Sequence, residues 1–210
     1  MYEVEQKFID ETGAFIKHLQ TLEINSSKRT IDEYIDVDQE YKLFLEGTFI
    51  RVRTENGKSV IDFKFDTPEL DTGNSHDFCI ERSFDLSTID QNMHHVKSIA
   101  SLINLKWDDS IKSFDEFKTL NNLVAYVTID KNRNTYKMGD YSVMWDHVDK
   151  LGEFVEIEIM EEKKENIAER VAEIRSLGSS YKMRIIQAGY VELYLEKYNN
   201  SLYQKGRFKI

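Results

Sequence analysis

Residues 2–9 read YEVEQKFI, and this stretch alternates apolar and charged side chains with a period of two. Val4 and Phe8 fall on one side, whereas Glu3 and Glu5 fall on the other. This alternation predicts a β-strand with two chemically different faces, because successive side chains of a strand point in opposite directions. The sequence therefore predicts a first strand that has one apolar face and one charged face.

The same alternation recurs along the chain in TFIRVRT (48–54), VIDFKF (60–65) and FVEIEI (154–159). Further strands are predicted near residues 31–37, 78–84, 124–133 and 141–147. Apolar stripes at helical spacing predict helices at 12–23, 88–104, 110–122, 164–177 and 183–198, with Gly178 as a C-terminal helix cap. Many strands at hairpin spacing, interrupted by helices, indicate an α+β fold.

The apolar strand faces need a cover, and the predicted amphipathic helices supply one. If the helices pack outside a closed sheet, the charged faces point inward, and a barrel of about eight strands leaves room for one small ligand. We therefore expect an α+β domain over residues 1–210, built on an eight-stranded antiparallel β-barrel, a tunnel with a charged interior. Buried charge on this scale is costly unless the charges pair with one another or a ligand and metal ions neutralise them, so the interior indicates a binding function.

Composition narrows the function classes further. The 210 residues carry a formal charge of −10, which argues against a general nucleic-acid-binding protein. No apolar run is long enough to span a membrane, and no secretion signal is recognisable, so we expect no membrane association and a cytoplasmic location. A single cysteine, Cys79, excludes an internal disulfide and a cysteine-based zinc site.

Paired carboxylates on the charged faces are candidate metal ligands. Glu3 and Glu5 stand two residues apart on one strand, and Glu156 and Glu158 repeat the arrangement on another. Asp146 lies out of phase with its apolar neighbours and is predicted to face the same interior. Carboxylate oxygens of this kind suit one or two Mg²⁺ or Mn²⁺ ions, although a lone Glu-x-Glu is usually solvated surface.

A matching set of cations lies on the same charged faces. Its members are Lys7, Arg51, Arg53, Lys64, Lys131 and Arg133. Arginine binds phosphate through two parallel hydrogen bonds, and lysine acts as a point charge, so these residues are candidate phosphate ligands. Residues 130–135 (DKNRNT) are also compatible with an exposed hairpin end, which leaves two of these cations open to a structural interpretation.

The order of these residues resembles the CYTH family, also called triphosphate tunnel metalloenzymes. The resemblance rests on EVEQK (3–7), DEYID (32–36), Arg51-x-Arg53, Lys64, Glu81, Lys131-x-Arg133 and WDHVDKLGEFVEIE (145–158). It implies an eight-stranded antiparallel tunnel, with Glu3, Glu5, Asp146, Glu156 and Glu158 holding metal and the six cations binding phosphates. Lys64, Glu81 and Tyr34 are the candidate catalytic residues on this resemblance, and pairing with an interior cation is the alternative role for Glu81.

The family includes triphosphatases and class IV adenylate cyclases, and their chemistries share nearly every residue named above. We expect hydrolysis of a small-molecule triphosphate (inorganic, thiamine or nucleoside) by a monomer or homodimer. The resemblance implies that one ion positions the triphosphate while another activates the attacking water. Cyclisation of ATP to cyclic AMP and a non-catalytic polyphosphate or nucleotide sensor are the alternatives. The loop at 66–77 leaves the choice of substrate open.

Overall fold

One antiparallel sheet of nine strands organises the protein. The computed structural model describes residues 2–65 and 80–209, so the loop expected at 66–77 lies outside the described residues. The strands are β1 (Tyr2–Ile9), β2 (Ser26–Val37), β3 (Phe49–Glu55), β4 (Lys58–Phe65), β5 (Ile80–Asp85), β6 (Leu123–Met138), β7 (Tyr141–Val148), β8 (Gly152–Glu161) and β9 (Arg184–Ile186). Their order across the sheet is β5-β4-β3-β2-β6-β7-β8-β1-β9. The α+β class and all eight predicted strands are thus confirmed.

The closed eight-stranded barrel predicted from the sequence is wrong in two respects. A ninth strand replaces the start of the helix predicted at 183–198, and it pairs with residues 7–9 of β1. Within the described residues, the edge strands β5 and β9 are not hydrogen-bonded to each other. Residues 184–186 form a strand because Ile185 and Ile186 are β-branched and the end of β1 offers unpaired backbone groups.

The open sheet nevertheless curls until its two ends face each other. Glu3 on β1 lies near enough to Lys64 on β4 and Glu81 on β5 for their charges to act on it. These strands are far apart in the hydrogen-bonded order, so only a strongly curved sheet brings them together. The sheet therefore has a concave face, and the alternating charged residues of each strand point into it.

Helices pack on the convex face in two apolar clusters, as the apolar alternation predicted. The helices are α1 (Ala14–Leu19), α2 (Lys42–Glu46), α3 (Met93–Leu102), α4 (Phe114–Leu120), α5 (Ile167–Ser180), α6 (Tyr190–Tyr198) and α7 (Asn200–Tyr203). One apolar cluster joins Val4 and Phe8 of β1 to α1 and α5, and another joins Ile50 of β3 to α3 and α4. Among the described residues, no helix is long and apolar enough to span a membrane.

Gly178 is not the helix cap that the sequence predicts. It lies inside α5, which continues to Ser180. A Cβ atom added at Gly178 would come within 2.3 Å of the Phe8 ring. This glycine is required because the helix backbone approaches the strand so closely that a side chain would overlap the ring.

The two last helices depart from the prediction that every helix packs outside. Val148 and Phe154 share the concave face with the charged residues of β7 and β8, because they stand at alternate positions of those strands. These apolar side chains form one buried cluster with Tyr190 and Leu195 of α6 and with residues of α7. The C-terminal segment therefore covers an apolar part of the concave face, and the charged part lies beside it.

Candidate functional site

A cavity of about 340 Å³ occupies the concave face of the sheet. Its walls include twelve of the residues selected from the sequence: Glu3, Glu5, Lys7, Tyr34, Arg51, Arg53, Lys64, Glu81, Lys131, Arg133, Glu156 and Glu158. They come from seven different strands, and the alternation of each strand directs the charged side chains inward. The structure thus gathers the predicted charges in one place, with Asp146 directly behind this lining.

Two of the three cavity arginines are held by aspartates on the neighbouring strand. Arg53 donates two hydrogen bonds of 2.7 Å to the two carboxylate oxygens of Asp32, its register partner on β2. Arg51 donates from Nε and Nη2 to Oδ2 of Asp62, its register partner on β4, at 2.9 and 2.7 Å. Each aspartate binds the Nε and Nη2 edge, so the orientation of the guanidinium plane is fixed.

The third arginine follows the same rule. Arg133 donates to Oδ1 and Oδ2 of Asp146 at 2.6 and 2.5 Å, and it also contacts Glu156. Asp146 is fully buried and accepts a further hydrogen bond of 2.7 Å from the Tyr190 hydroxyl. The structure therefore places Asp146 as the support of a phosphate-binding candidate, and its role as a metal ligand stays a prediction.

The lysines of the cavity are paired as well. The Lys7 ammonium lies 2.9 Å from Glu156, and the Lys64 ammonium lies 2.9 Å from Glu81, which also accepts from Arg51 at 3.2 Å. Lys131 is the exception, since its nearest carboxylate, Asp146, is 3.6 Å away. Burial and the nearby Arg133 lower the pKa of Lys131 to about 8, although neighbouring carboxylates act in the opposite direction.

Three carboxylates have no such partner. In the part of the chain that the structure describes, no ammonium or guanidinium group lies within 4 Å of Glu3, Glu5 or Glu158. Removal from water, followed by repulsion from Glu5 and Glu158, raises the pKa of Glu3 to about 7. Removal from water and repulsion from Glu5 also raise the pKa of Glu158. The cavity therefore holds uncompensated negative charge that a cation would stabilise.

This donor set fits a hard divalent cation that binds together with its substrate. Within residues 2–65 and 80–209, no three carboxylate, imidazole or thiol groups are already close enough to form a metal site. Mg²⁺ is commonly held by only one or two carboxylates, with water and substrate phosphate oxygens completing its shell. Glu3, Glu5 and Glu158 would supply such carboxylates, and the neighbouring cations would attract a phosphate.

Sequence reasoning did not select four residues of this network. Asp32, Asp62 and Ser83 support the arginines, with the Ser83 hydroxyl donating to Oδ1 of Asp62 at 2.7 Å. Alternation could have found Asp62, because it stands two residues before Lys64 on the same face of β4. Nothing in the pattern around Tyr190 marks it, since its position depends on how the C-terminal segment folds back onto the sheet.

Solved structures with this fold are known from several organisms. The chain is similar to a protein of Pyrococcus horikoshii OT3 at 21% identity, with 93% of this chain and 99% of that chain covered and a TM-score of 0.64. It is similar to a candidate adenylate cyclase of Bacillus halodurans at 13% identity, with coverages of 94% and 97% and a TM-score of 0.61. A candidate adenylyl cyclase of Hippeastrum, described as having a dominant triphosphatase activity, shares 14% identity, with coverages of 100% and 98% and a TM-score of 0.55. These identities are low, so the likeness concerns the fold.

Sequence comparison assigns the chain to a family. No curated protein matches it. The CYTH domain family model matches residues 1–185, which include every strand of the sheet up to the start of β9 and all the charged residues that line the cavity on those strands. The chain therefore belongs to the CYTH domain family.

Proposed function

We propose that this protein is a divalent-metal-dependent phosphohydrolase that binds a triphosphate substrate in the concave cavity. One observation carries the proposal: the cavity combines six cations with three carboxylates that have no ion pair among the described residues. The cations alone would attract any polyanion. The unpaired carboxylates repel a polyanion unless a metal ion lies between, so metal and phosphate are expected to bind together.

The residues divide into three groups by what they would do in this reaction. The arginines Arg51, Arg53 and Arg133 would hold phosphate oxygens through the guanidinium nitrogens that their aspartates do not use, and Lys7 and Lys131 would add positive charge for the same phosphates. Glu3, Glu5 and Glu158 would hold the metal, with Glu156 and Asp146 as further candidates from the sequence. A bound Mg²⁺ or Mn²⁺ supplies Lewis acidity and lowers the pKa of a water molecule.

Lys64 and Tyr34 would stabilise charge near the reacting phosphoryl group. Lys64 keeps its ammonium in the cavity beside Glu81, and burial raises the pKa of Tyr34, which keeps its hydroxyl protonated and able to donate. Such preorganised donors stabilise the negative charge that shifts to the leaving group during phosphoryl transfer. Glu81 joins Lys64 to Arg51, so we assign it the positioning of both cations and no proton transfer.

The proposal is tested by a panel of three substrates: inorganic triphosphate, thiamine triphosphate and ATP. Each is incubated with Mg²⁺, with Mn²⁺ and with EDTA, and both phosphate release and cyclic AMP are measured. We expect metal-dependent phosphate release from at least one substrate and none in EDTA. Turnover that persists in EDTA would contradict the metal requirement, and cyclic AMP from ATP without phosphate release would replace hydrolysis by cyclisation.

A matched pair of variants separates the site from general effects of charge. Glu5 and Glu33 are both strand glutamates, but Glu5 lines the cavity, whereas Glu33 is exposed and alternates with the cavity-facing positions of β2. We expect Glu5→Gln to lose metal-dependent phosphate release and Glu33→Gln to retain it. Equal activity of the two variants would remove Glu5 from the metal site.

A further inference from the structure

The C-terminal helix α6 contributes a side chain to the charged part of the cavity. Tyr190 is the first residue of α6, it is only 5% exposed, and it lines the cavity together with Gln187 and Gly189. All three residues follow position 185, where the match to the CYTH family model ends. The family domain alone therefore does not account for the whole wall of the cavity.

The Tyr190 side chain contacts three residues of the charged network at once. Its hydroxyl donates a hydrogen bond of 2.7 Å to Oδ2 of Asp146. The ammonium nitrogens of Lys7 and Lys131 lie 4.3 and 5.0 Å from the centre of its ring.

Each contact has a definite physical effect. Arg133 already donates to both oxygens of Asp146, and the Tyr190 hydroxyl adds a third hydrogen bond that holds the carboxylate in the position that orients this arginine. The face of an aromatic ring carries negative charge density, which attracts a buried ammonium group. Lys131 is the cation that most needs this attraction, because it has no carboxylate closer than 3.6 Å.

We propose that Tyr190 is a positioning residue of the phosphate site, through which the segment beyond the family domain sets the geometry of Lys7, Lys131 and Arg133. The proposal rests on the proposed function, since it concerns how the same cavity binds a triphosphate. Burial, and then the negative charges of Glu156 and Asp146, raise the pKa of Tyr190 well above its ordinary value. The hydroxyl therefore stays protonated and acts as a donor over the whole range of an enzyme assay.

Three variants test this assignment. Tyr190→Phe removes only the hydroxyl, Tyr190→Leu removes the ring as well, and Tyr194→Phe is the control on the same helix. Tyr194 is half-buried, packs on Tyr198 at a ring distance of 4.8 Å and is absent from the cavity wall. The measurements are kcat and KM for inorganic triphosphate with Mg²⁺ between pH 6 and 10, together with melting temperatures with and without triphosphate and Mg²⁺.

We expect Tyr190→Phe to raise KM about tenfold, the effect of one lost hydrogen bond to a charged group, with a smaller change in kcat. Tyr190→Leu should raise KM further and move its alkaline rise to lower pH, because Lys131 loses the ring that stabilises its ammonium form. Tyr194→Phe should leave KM and its pH dependence unchanged. A purely structural role would lower the melting temperature without moving KM or the pH profile.

The proposal is overturned if Tyr190→Phe and Tyr194→Phe have the same KM, and this comparison stands even if Tyr190→Leu does not fold. If the natural protein binds triphosphate and Mg²⁺ without hydrolysing it, the proposed hydrolysis fails alone. The positioning role of Tyr190 is then tested by the rise in melting temperature that triphosphate and Mg²⁺ cause. This rise must be smaller for Tyr190→Phe than for Tyr194→Phe. If the natural protein neither binds nor hydrolyses triphosphate, both proposals fail.

Discussion

Replacing Glu3 by glutamine should stabilise the metal-free protein at pH 8, although the replaced residue belongs to the candidate metal site. Glu3, Glu5 and Glu158 share the cavity without an ion pair in the described part of the chain, and they repel one another. Glutamine has nearly the same shape and no charge, so it removes both the cost of taking a carboxylate out of water and this repulsion. The natural glutamate therefore lowers the stability of the folded state until a metal ion binds.

The magnitude follows from the pKa of Glu3, which rises from 4.5 to about 7 on folding. Each unit corresponds to about 1.4 kcal/mol, or about 3 kcal/mol in all for a side chain sealed from water. Glu3 is exposed at the rim of the cavity, and screening by solvent reduces this figure to about 1 kcal/mol. For a chain of 210 residues, the melting temperature should rise by about 2–4 °C.

The sign of the effect fixes its pH dependence. The folded state holds the Glu3 proton more tightly than the unfolded state, so the natural protein loses stability as the pH rises from about 4.5 to 7. The advantage of Glu3→Gln should vanish as the pH falls below about 4.5 and be complete above pH 7. Thermal melting in EDTA at several pH values measures it, with Glu33→Gln as the control on the outer face of β2.

Addition of Mg²⁺ should reverse the order of stability. The natural protein gains a ligand that binds only the folded state, and Glu3→Gln gains less. The reasoning is refuted if Glu3→Gln in EDTA melts at the natural temperature at pH 8. It is refuted equally if the gain is as large at pH 4.5 as at pH 8, because the penalty must shrink as Glu3 becomes protonated in the folded state.

Three further predictions concern other parts of the protein. Asp62→Asn should disturb the orientation of Arg51 and raise the KM for triphosphate about tenfold in steady-state kinetics. Ser83→Ala should raise this KM less, because it removes only the hydrogen bond that supports Asp62. Triphosphate affinity should fall as the pH rises through about 8, where Lys131 loses its proton, and Lys131→Arg should remove this fall in a pH series of KM. Gly178→Ala should lower the stability by about 1–3 kcal/mol through overlap with the Phe8 ring, and unchanged denaturant unfolding would contradict the close approach.

The charged face of the sheet could be predicted because successive side chains of a strand point to opposite faces. Lys131 and Arg133 share a face of β6 and both line the cavity, although the hairpin-like composition around them also allowed an exposed position. The same rule applied to Glu156 and Glu158, which both line the cavity. What alternation could not give was the partner of each charge, since this depends on the register between strands.

The register between β6 and β7 explains why the sequence predicts Asp146 as a metal ligand but does not predict its pairing with Arg133. Asp146 and Arg133 are directly opposite each other on β6 and β7, and the same holds for Asp32 with Arg53. A one-residue slip in either pairing would turn one member of each pair to the other face. Long-range pairing is therefore what converts an acidic residue on the inner face into the support of an arginine.

The ninth strand and the position of the C-terminal segment on the concave face could not be predicted from the sequence, for a different reason. Residues 184–186 satisfy both a helical and an extended pattern, and the choice is made by the free end of β1, which is more than 170 residues earlier in the chain. Tyr190 reaches the cavity only because this short strand is followed at once by α6. The pairing of residues 184–186 with β1 therefore both adds a ninth strand and places the Tyr190 ring beside Lys7 and Lys131.

The arrangement of charge also explains how one cavity can hold so many ionised groups before substrate binds. Five of the six cations have a carboxylate within 3.3 Å, so they require no substrate to remain ionised. Lys131 and the carboxylates Glu3, Glu5 and Glu158 are left without a close partner of opposite charge in the described residues. A phosphate group would satisfy Lys131, and a divalent cation would satisfy the carboxylates. Because each would leave the other unsatisfied, binding of metal and triphosphate should be mutually dependent, and each should raise the affinity for the other by the same factor.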